Sequence, residues 1–186
     1  MAKRVLKRAA QCAALFVFLA GPVLLVTAIA ASDAFARMRE GKLVIELAAG
    51  GAGRPIDIEI AETEEEKALG LMFRTSLADD HGMLFFYGDG RELTMWMRNT
   101  YISLDMVFIR ADGVIHRIEV KAEPLSDRVI SSGAPVAAVL ELAGGAADRF
   151  GIKPGDTVRH ALFGKPGAPA QSAPKVEAPA TAPPGY

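Results

Sequence analysis

The sequence predicts a mainly β domain, a compact β-sandwich or jelly-roll-like barrel of about eight strands with one short helix. Three observations lead there. Short segments alternate apolar and polar residues with the period of two that a half-buried strand requires. Glycine-containing turn signals separate those segments. A single stretch carries the signature of a helix start.

The elements follow in order. "KLVIELAA" sets Leu43, Ile45 and Leu47 against polar neighbours, and "RPIDIEIAE" sets Ile56, Ile58 and Ile60 against Asp57 and Glu59. The glycines of Gly50–Gly53 between them suggest a hairpin. In "TEEEKALG", Thr63 and Glu66 have capping-box spacing, so hydroxyl and carboxylate each satisfy a free backbone N–H. Glu64, Glu65 and Glu66 suit the positive end of a helix dipole, and Gly70 suits its exit. The helix is therefore Glu64–Leu69, and the acidic run needs no metal to explain it. Further strands are expected at Met83–Tyr87, Glu92–Met97, Leu104–Ile109, Val114–Val120, Val136–Leu142 and Asp156–Phe163. Asp112-Gly113 is a strong hairpin signal. Gly151–Asp156 reads as a tight turn and Asp127–Pro135 as a polar loop.

The flanks have a different composition. Lys3, Arg4, Lys7 and Arg8 precede an apolar run from Ala9 to Ala31, the layout of a signal peptide. Small-residue cleavage sites occur at Ala28-Ile29-Ala30 and Ala34-Phe35-Ala36, and the polar Ser32-Asp33 favours the second. The run also has the ~20 apolar residues that span a bilayer, so residues 9–31 are alternatively an uncleaved anchor. Either reading exports the domain, to the periplasm or the exterior, with the membrane touched only through this segment. Residues 1–36 are thus a leader or anchor and residues 41–163 the folded domain. Residues 164–186, rich in Pro and Ala, hold too few large apolar side chains to offset ordering entropy.

Composition excludes several chemistries. A net charge of −1 and the lack of a basic stripe argue against nucleic acid as a partner. The only cysteine, Cys12, lies in the leader, which removes disulfides, thiolate metal sites and a cysteine nucleophile from the domain. His81, His116 and His160 share no ligand spacing, so no zinc or other cofactor is expected. No GxSxG or SxxK occurs.

"TEEEKALGLMFRTSL", "HGMLFFY", "MWMRNTYISLDMVFI", "VLELAGG" and "GIKPGD" occur in that order, spread over Val44 to Val158. The set resembles DUF192 (UPF0127), a family of uncharacterised proteins. The resemblance implies a small, often exported, β-rich domain of jelly-roll type and carries no established activity. Two positions depart from the family pattern. Ser103 stands where members usually have proline, and Met95 where an aromatic is common.

Candidate site residues gather in "TMWMRNTYISLDMVFI" (94–109). Alternation puts Leu93, Met95 and Met97 on one face and Thr94 and Trp96 on the other. Asp105 opens an otherwise apolar row with Val107 and Ile109, so its carboxyl needs a partner. One reading is a structural clamp from Asp105 to Arg98 or Asn99. The sharper reading is a pocket in which Trp96 supplies an apolar wall, Arg98 and Asn99 donors, and Asp105 an acceptor. Arg74 and Glu141 could join it, although a solvated loop cation and an outward polar group on an edge or barrel rim are the plainer readings. The expected function is binding of a small polar ligand or a cell-envelope partner through the Trp96–Asp105 region. One rival is an envelope hydrolase using Asp105 with Arg98 and Asn99. Another is Cu(I) handling through Met72, Met83, Met95, Met97 and Met106, whose thioethers are soft ligands but also ordinary gap fillers of a core.

Overall fold

The computed structural model describes residues 38–164. The expected export segment and Pro/Ala-rich tail lie outside them. Seven strands form one sheet: β1 (Arg39–Glu46), β2 (Arg54–Ala61), β3 (His81–Met95), β4 (Leu104–Ile109), β5 (Ile115–Ala122), β6 (Ile130–Ala143) and β7 (Thr157–Arg159). Two short helices, α1 (Glu64–Leu69) and α2 (Ala146–Phe150), are inserted among them. The strand order is β5-β4-β6-β3-β2-β1-β7. The two ends of the sheet then meet. Val114 bridges Thr157, Ile115 N–H donates to Asp156 C=O at 2.8 Å, and Val158 N–H donates to Gly113 C=O at 2.8 Å. The sheet is curled into a barrel, as the strand pattern predicts.

Local chemistry sets the elements. Thr63 Oγ accepts from Glu66 N–H at 3.1 Å and Glu66 Oε2 accepts from Thr63 N–H at 2.9 Å, so the capping box starts α1 where expected. Gly70 ends the helix, its N–H on Glu66 C=O at 2.8 Å. This helix lies in the crossover between β2 and β3, which are parallel; a hairpin could not connect them. The predicted strands at Met83–Tyr87 and Glu92–Met97 are one strand, β3, whose pairing with β6 slips between Phe86 and Arg91. The turn glycines there are absorbed by a bulge instead of ending the strand. β6 likewise begins at Ile130, inside the segment read as a polar loop.

Both faces of the central strands are buried. Ile58, Ile60, Leu84, Val107, Leu140 and Leu142 belong to the barrel interior with Leu43, Ile45 and Val158. The opposite face carries Met83, Phe85, Met106, Phe108 and Val139, also buried. It follows that β4 is buried at every position. Strand register stacks these side chains in rows across the sheet, through the parallel β2–β3 pair and the antiparallel pairs beyond it. One row runs Glu59, Met83, Glu141, Met106, Glu119 through β2, β3, β6, β4 and β5.

Closure depends on Gly113, which has φ +83° and whose added Cβ would lie 2.7 Å from Val158 O. Gly113→Ala should lower the unfolding free energy in urea by roughly 2–4 kcal/mol, from left-handed strain plus the clash. Gly155→Ala, also at positive φ (+95°) but with open space around it, should cost only roughly 1–2 kcal/mol of strain.

Candidate functional site

Asp105 is fully enclosed at 0% exposure. Its Oδ1 accepts from Lys121 N–H at 2.7 Å and Gly145 N–H at 2.9 Å, and its Oδ2 accepts from Ala147 N–H at 2.9 Å. Three main-chain donors therefore satisfy the one charged side chain in that apolar row. The clamp foreseen from sequence has different partners. Arg98 Nε pairs with Asp127 at 2.8 Å, and the Asn99 amide packs on the Met72 sulfur at 3.9 Å. Asp105 offers no acceptor to a ligand, and α2 gains a cap. Gly145, the N-cap of α2, has no capping side chain of its own. The carboxylate reaches its first turn from another strand, where the helix dipole also favours a negative charge.

Glu141 has the opposite character. Its strand, β6, lies between β4 and β3, so the residue is central in the sheet and not at an edge or rim. It is 4% exposed, with Met83 and Met106 facing it across the two neighbouring strands. The outer acids of its row have arginine partners. Glu59 holds Arg74 in a two-pronged pair at 2.6 and 2.5 Å, and Glu119 holds Arg117 and Arg128. The central acid has no hydrogen-bond or ion-pair partner among the described residues, and since no fully enclosed side-chain oxygen there lacks a partner, its carboxyl oxygens keep contact with open space. Burial alone pushes its carboxyl up to about 8 from an ordinary value of 4.5.

A recess of about 30 Å³ opens over this carboxyl. The end of α1 and the segment after it (67–72), Phe85 and Met95 from β3, and Trp96, Arg98 and Thr100 beyond it line the recess. Trp96 and Arg98 belong to that lining, with Met72, Met95, Thr100 and Lys67. Trp96 is 51% exposed, and the Arg98 guanidinium stacks 4.7 Å from its ring centre. Lys67 pairs with Glu64 at 3.1 Å and lies 4.7 Å over the Tyr87 ring. Of the six candidates, then, Trp96, Arg98 and Glu141 meet at one recess. Asn99 adjoins it through Met72, Arg74 lies at the end of the Glu141 row, and Asp105 is sealed elsewhere.

Two residues next in the chain to lining residues have positive φ. Phe73 (φ 64°) and Asn99 (φ 57°) are both left-handed, and Phe73 N–H donates to Asn99 C=O at 2.9 Å. Bulky residues seldom hold that conformation without surrounding support. The lining residues Lys67, Phe85 and Thr100 were not foreseen as site residues, and Met72 and Met95 only as possible thioether ligands. The one local sign was an acid between leucines in "VLEL".

A larger open groove of about 680 Å³ lies along β1, β2 and the start of β3. Size alone would favour it. Most of its charged groups, however, are already committed: Lys42 to Asp57, Arg74 to Glu59, and His81 Nδ1 to Asp80, while Glu40 is exposed to solvent. The unsatisfied chemistry is in the small recess.

Residues 36–160 match the profile of DUF192, described as an uncharacterized ACR. The chain belongs to the DUF192 family. No curated protein shows significant similarity to it. Among solved structures, a protein from Sinorhizobium meliloti 1021, named only provisionally as a transcription regulator, is 40% identical. That match covers 68% of this chain and 97% of the other, with a TM-score of 0.66. A protein of unknown function from Novosphingobium aromaticivorans DSM 12444 is 38% identical, covering 66% and 86% of the two chains, with a TM-score of 0.63.

Two outcomes follow for this DUF192 domain. Asp105→Asn turns an amide N–H toward at least one buried backbone N–H, so chemical denaturation should show a loss of roughly 2–4 kcal/mol. Glu141 has a folded pKa of about 8 against 4.5 unfolded. Its contribution to stability is therefore full below the unfolded value and is lost as pH rises through about 8. The full loss is on the order of 5 kcal/mol. Urea midpoints taken from pH 5 to 9 should fall steeply for the wild type and much less for Glu141→Gln. Parallel curves would contradict the assignment.

Proposed function

We propose that this protein is an exported, non-enzymatic binding domain of the cell envelope that takes a small polar ligand at the Glu141 recess. The polar tip of the ligand reaches Glu141, and its body lies along exposed Trp96. The observation that carries this reading is the unpaired carboxyl of Glu141, buried yet open to the recess. A buried polar group without a partner costs free energy, and a ligand that supplies the partner recovers it. The paired Glu59 and Glu119 in the same row make the contrast internal to the protein. Export rests on the basic and then apolar character of residues 3–31.

A second reading is favoured by the same carboxyl. A recessed acid with a strongly raised pKa is what a general acid requires. The hydrolase foreseen around Asp105 has no free carboxyl there, so such an enzyme would rest on Glu141. The other ionisable residues lining the recess are Lys67 and Arg98; no second carboxyl lines it with Glu141, its one hydroxyl, Thr100, donates to Arg98 C=O, and binding remains the better-supported role. Transcription regulation, the role attached to the S. meliloti relative, finds no support in charge. The exposed Arg39, Arg98, Arg149 and Arg159 are each paired with a carboxylate, leaving no open basic face built from them.

Thermal denaturation of the full-length protein against a panel of envelope metabolites tests the proposal. A ligand should raise the wild-type midpoint, since binding to the native state stabilises it. The rise should shrink sharply in Glu141→Gln and in Trp96→Ala. A ligand that shifts both variants as much as wild type would place the binding site elsewhere.

A further inference from the structure

The recess states what it can hold. About 30 Å³ exceeds the ~10–15 Å³ that one water needs, which gives room for a small polar head group but not for a ring. Its floor is a lone carboxyl between two methionines, with the Phe85 ring in the lining. A buried carboxylate becomes tolerable when a cation pairs with it, and aromatic faces favour a cation further. An ammonium head has the size of a water and three donors. The rim has the opposite sign, because Lys67 and Arg98 line it. A plain amine would have to pass two cations. An amine that carries its own carboxylate would meet them favourably. Arg98 is free to exchange partners at little cost, since its pair with Asp127 is exposed at 52% and 71% and such pairs contribute little.

We infer that the recess takes a small zwitterion, the head group of a free α-amino acid, with its ammonium on Glu141 and its carboxylate at the Lys67–Arg98 rim. The inference rests on the ligand-binding reading above and names the ligand class. The exposed Trp96 face, beside the rim, accepts an apolar side chain.

Proton linkage follows. The ammonium pairs with ionised Glu141, whose carboxyl is held near 8 by burial in the free protein. The charged and titratable groups around it are Lys67 from α1, Arg98 from the segment after β3, and Tyr87 and Arg91 from β3; burial pushes the Tyr87 hydroxyl up, the Arg91 charge pulls it back and the Glu141 charge raises it again. Met83 and Met106 on either side are uncharged. Binding near pH 7 therefore releases a proton, and affinity rises up to about tenfold per pH unit until Glu141 is ionised.

The test is calorimetric titration of the full-length protein with phenylalanine, N-acetylphenylalanine, phenethylamine and silver(I). Each is run at pH 6.5, 7.5 and 8.5 in two buffers of different ionisation enthalpy. The inference expects phenylalanine to bind, with release of a proton and tighter binding at higher pH. It expects the two blocked analogues to bind at least about tenfold more weakly. Glu141→Gln should weaken phenylalanine at least tenfold. Arg98→Ala, a change at an exposed site, should weaken phenylalanine several-fold and, by removing a repelling cation, leave phenethylamine as tight or tighter. Equal binding of N-acetylphenylalanine, with loss in Glu141→Gln, would overturn the zwitterion while the recess stayed a ligand site. Binding of silver(I) alone, lost in Met72→Leu with Met95→Leu, would overturn it in favour of a thioether site for a soft cation. Binding of phenylalanine that neither Glu141→Gln nor Trp96→Ala weakens would overturn the zwitterion and the recess together.

Discussion

Three backbone N–H groups on one buried carboxylate organise this domain. Asp105 joins the beginning of β4, the end of β5 at Lys121, and the first turn of α2. Lys121 has a positive φ of 50°, a strained conformation for a lysine, and its N–H is spent on that carboxylate. The same contacts anchor the chain just after β6, where Leu104 pairs Ala143 and Asp105 pairs Leu142. With that end fixed, the next pair in register is Met106 with Glu141. A slip of one residue would turn Glu141 into the barrel and Leu142 out of it. The structural acid thus sets the position of the functional one.

The two acids show how environment separates identical chemistry. Both are enclosed, one on each face of the sheet. Asp105 meets three main-chain donors, which satisfy its oxygens and hold it in place. Glu141 meets thioethers and an aromatic ring, which cannot satisfy a charge, so desolvation decides and the proton is retained. The layer over Glu141 exists because β2 and β3 are parallel. Their connection has to cross the sheet, and α1 with residues 70–72 falls over the central strands. A hairpin at that point would have left Glu141 in water with an ordinary pKa.

The sequence was readable where a signal and its partner lie close together. The Thr63–Glu66 capping box, the Asp112-Gly113 turn and the alternation of Ile56, Ile58 and Ile60 all appear in the fold as expected. Helix α2 was not legible, because its cap is Asp105, forty residues earlier in the chain from Gly145. The partners of Asp105 were misjudged for the same reason. Backbone donors leave no mark on residue type, and Arg98 and Asn99 were merely the nearest polar side chains in sequence. Merging two predicted strands into β3 depended on a bulge at Gly88 to Gly90, which reads as a turn until β6 is paired along its length. The burial of Glu141 needed the strand order, which places β6 in the centre, and the crossover that covers it.

The account stands on Glu141 being a buried, unpaired acid, and its titration is the direct measurement. The side-chain carboxyl carbon can be followed by NMR from pH 3 to 10 in labelled full-length protein, with Glu141→Gln to assign the signal. The account predicts a midpoint near 8. A midpoint near the ordinary 4.5 would mean that the carboxyl is hydrated or paired in solution, and would contradict both the recess and the function read from it.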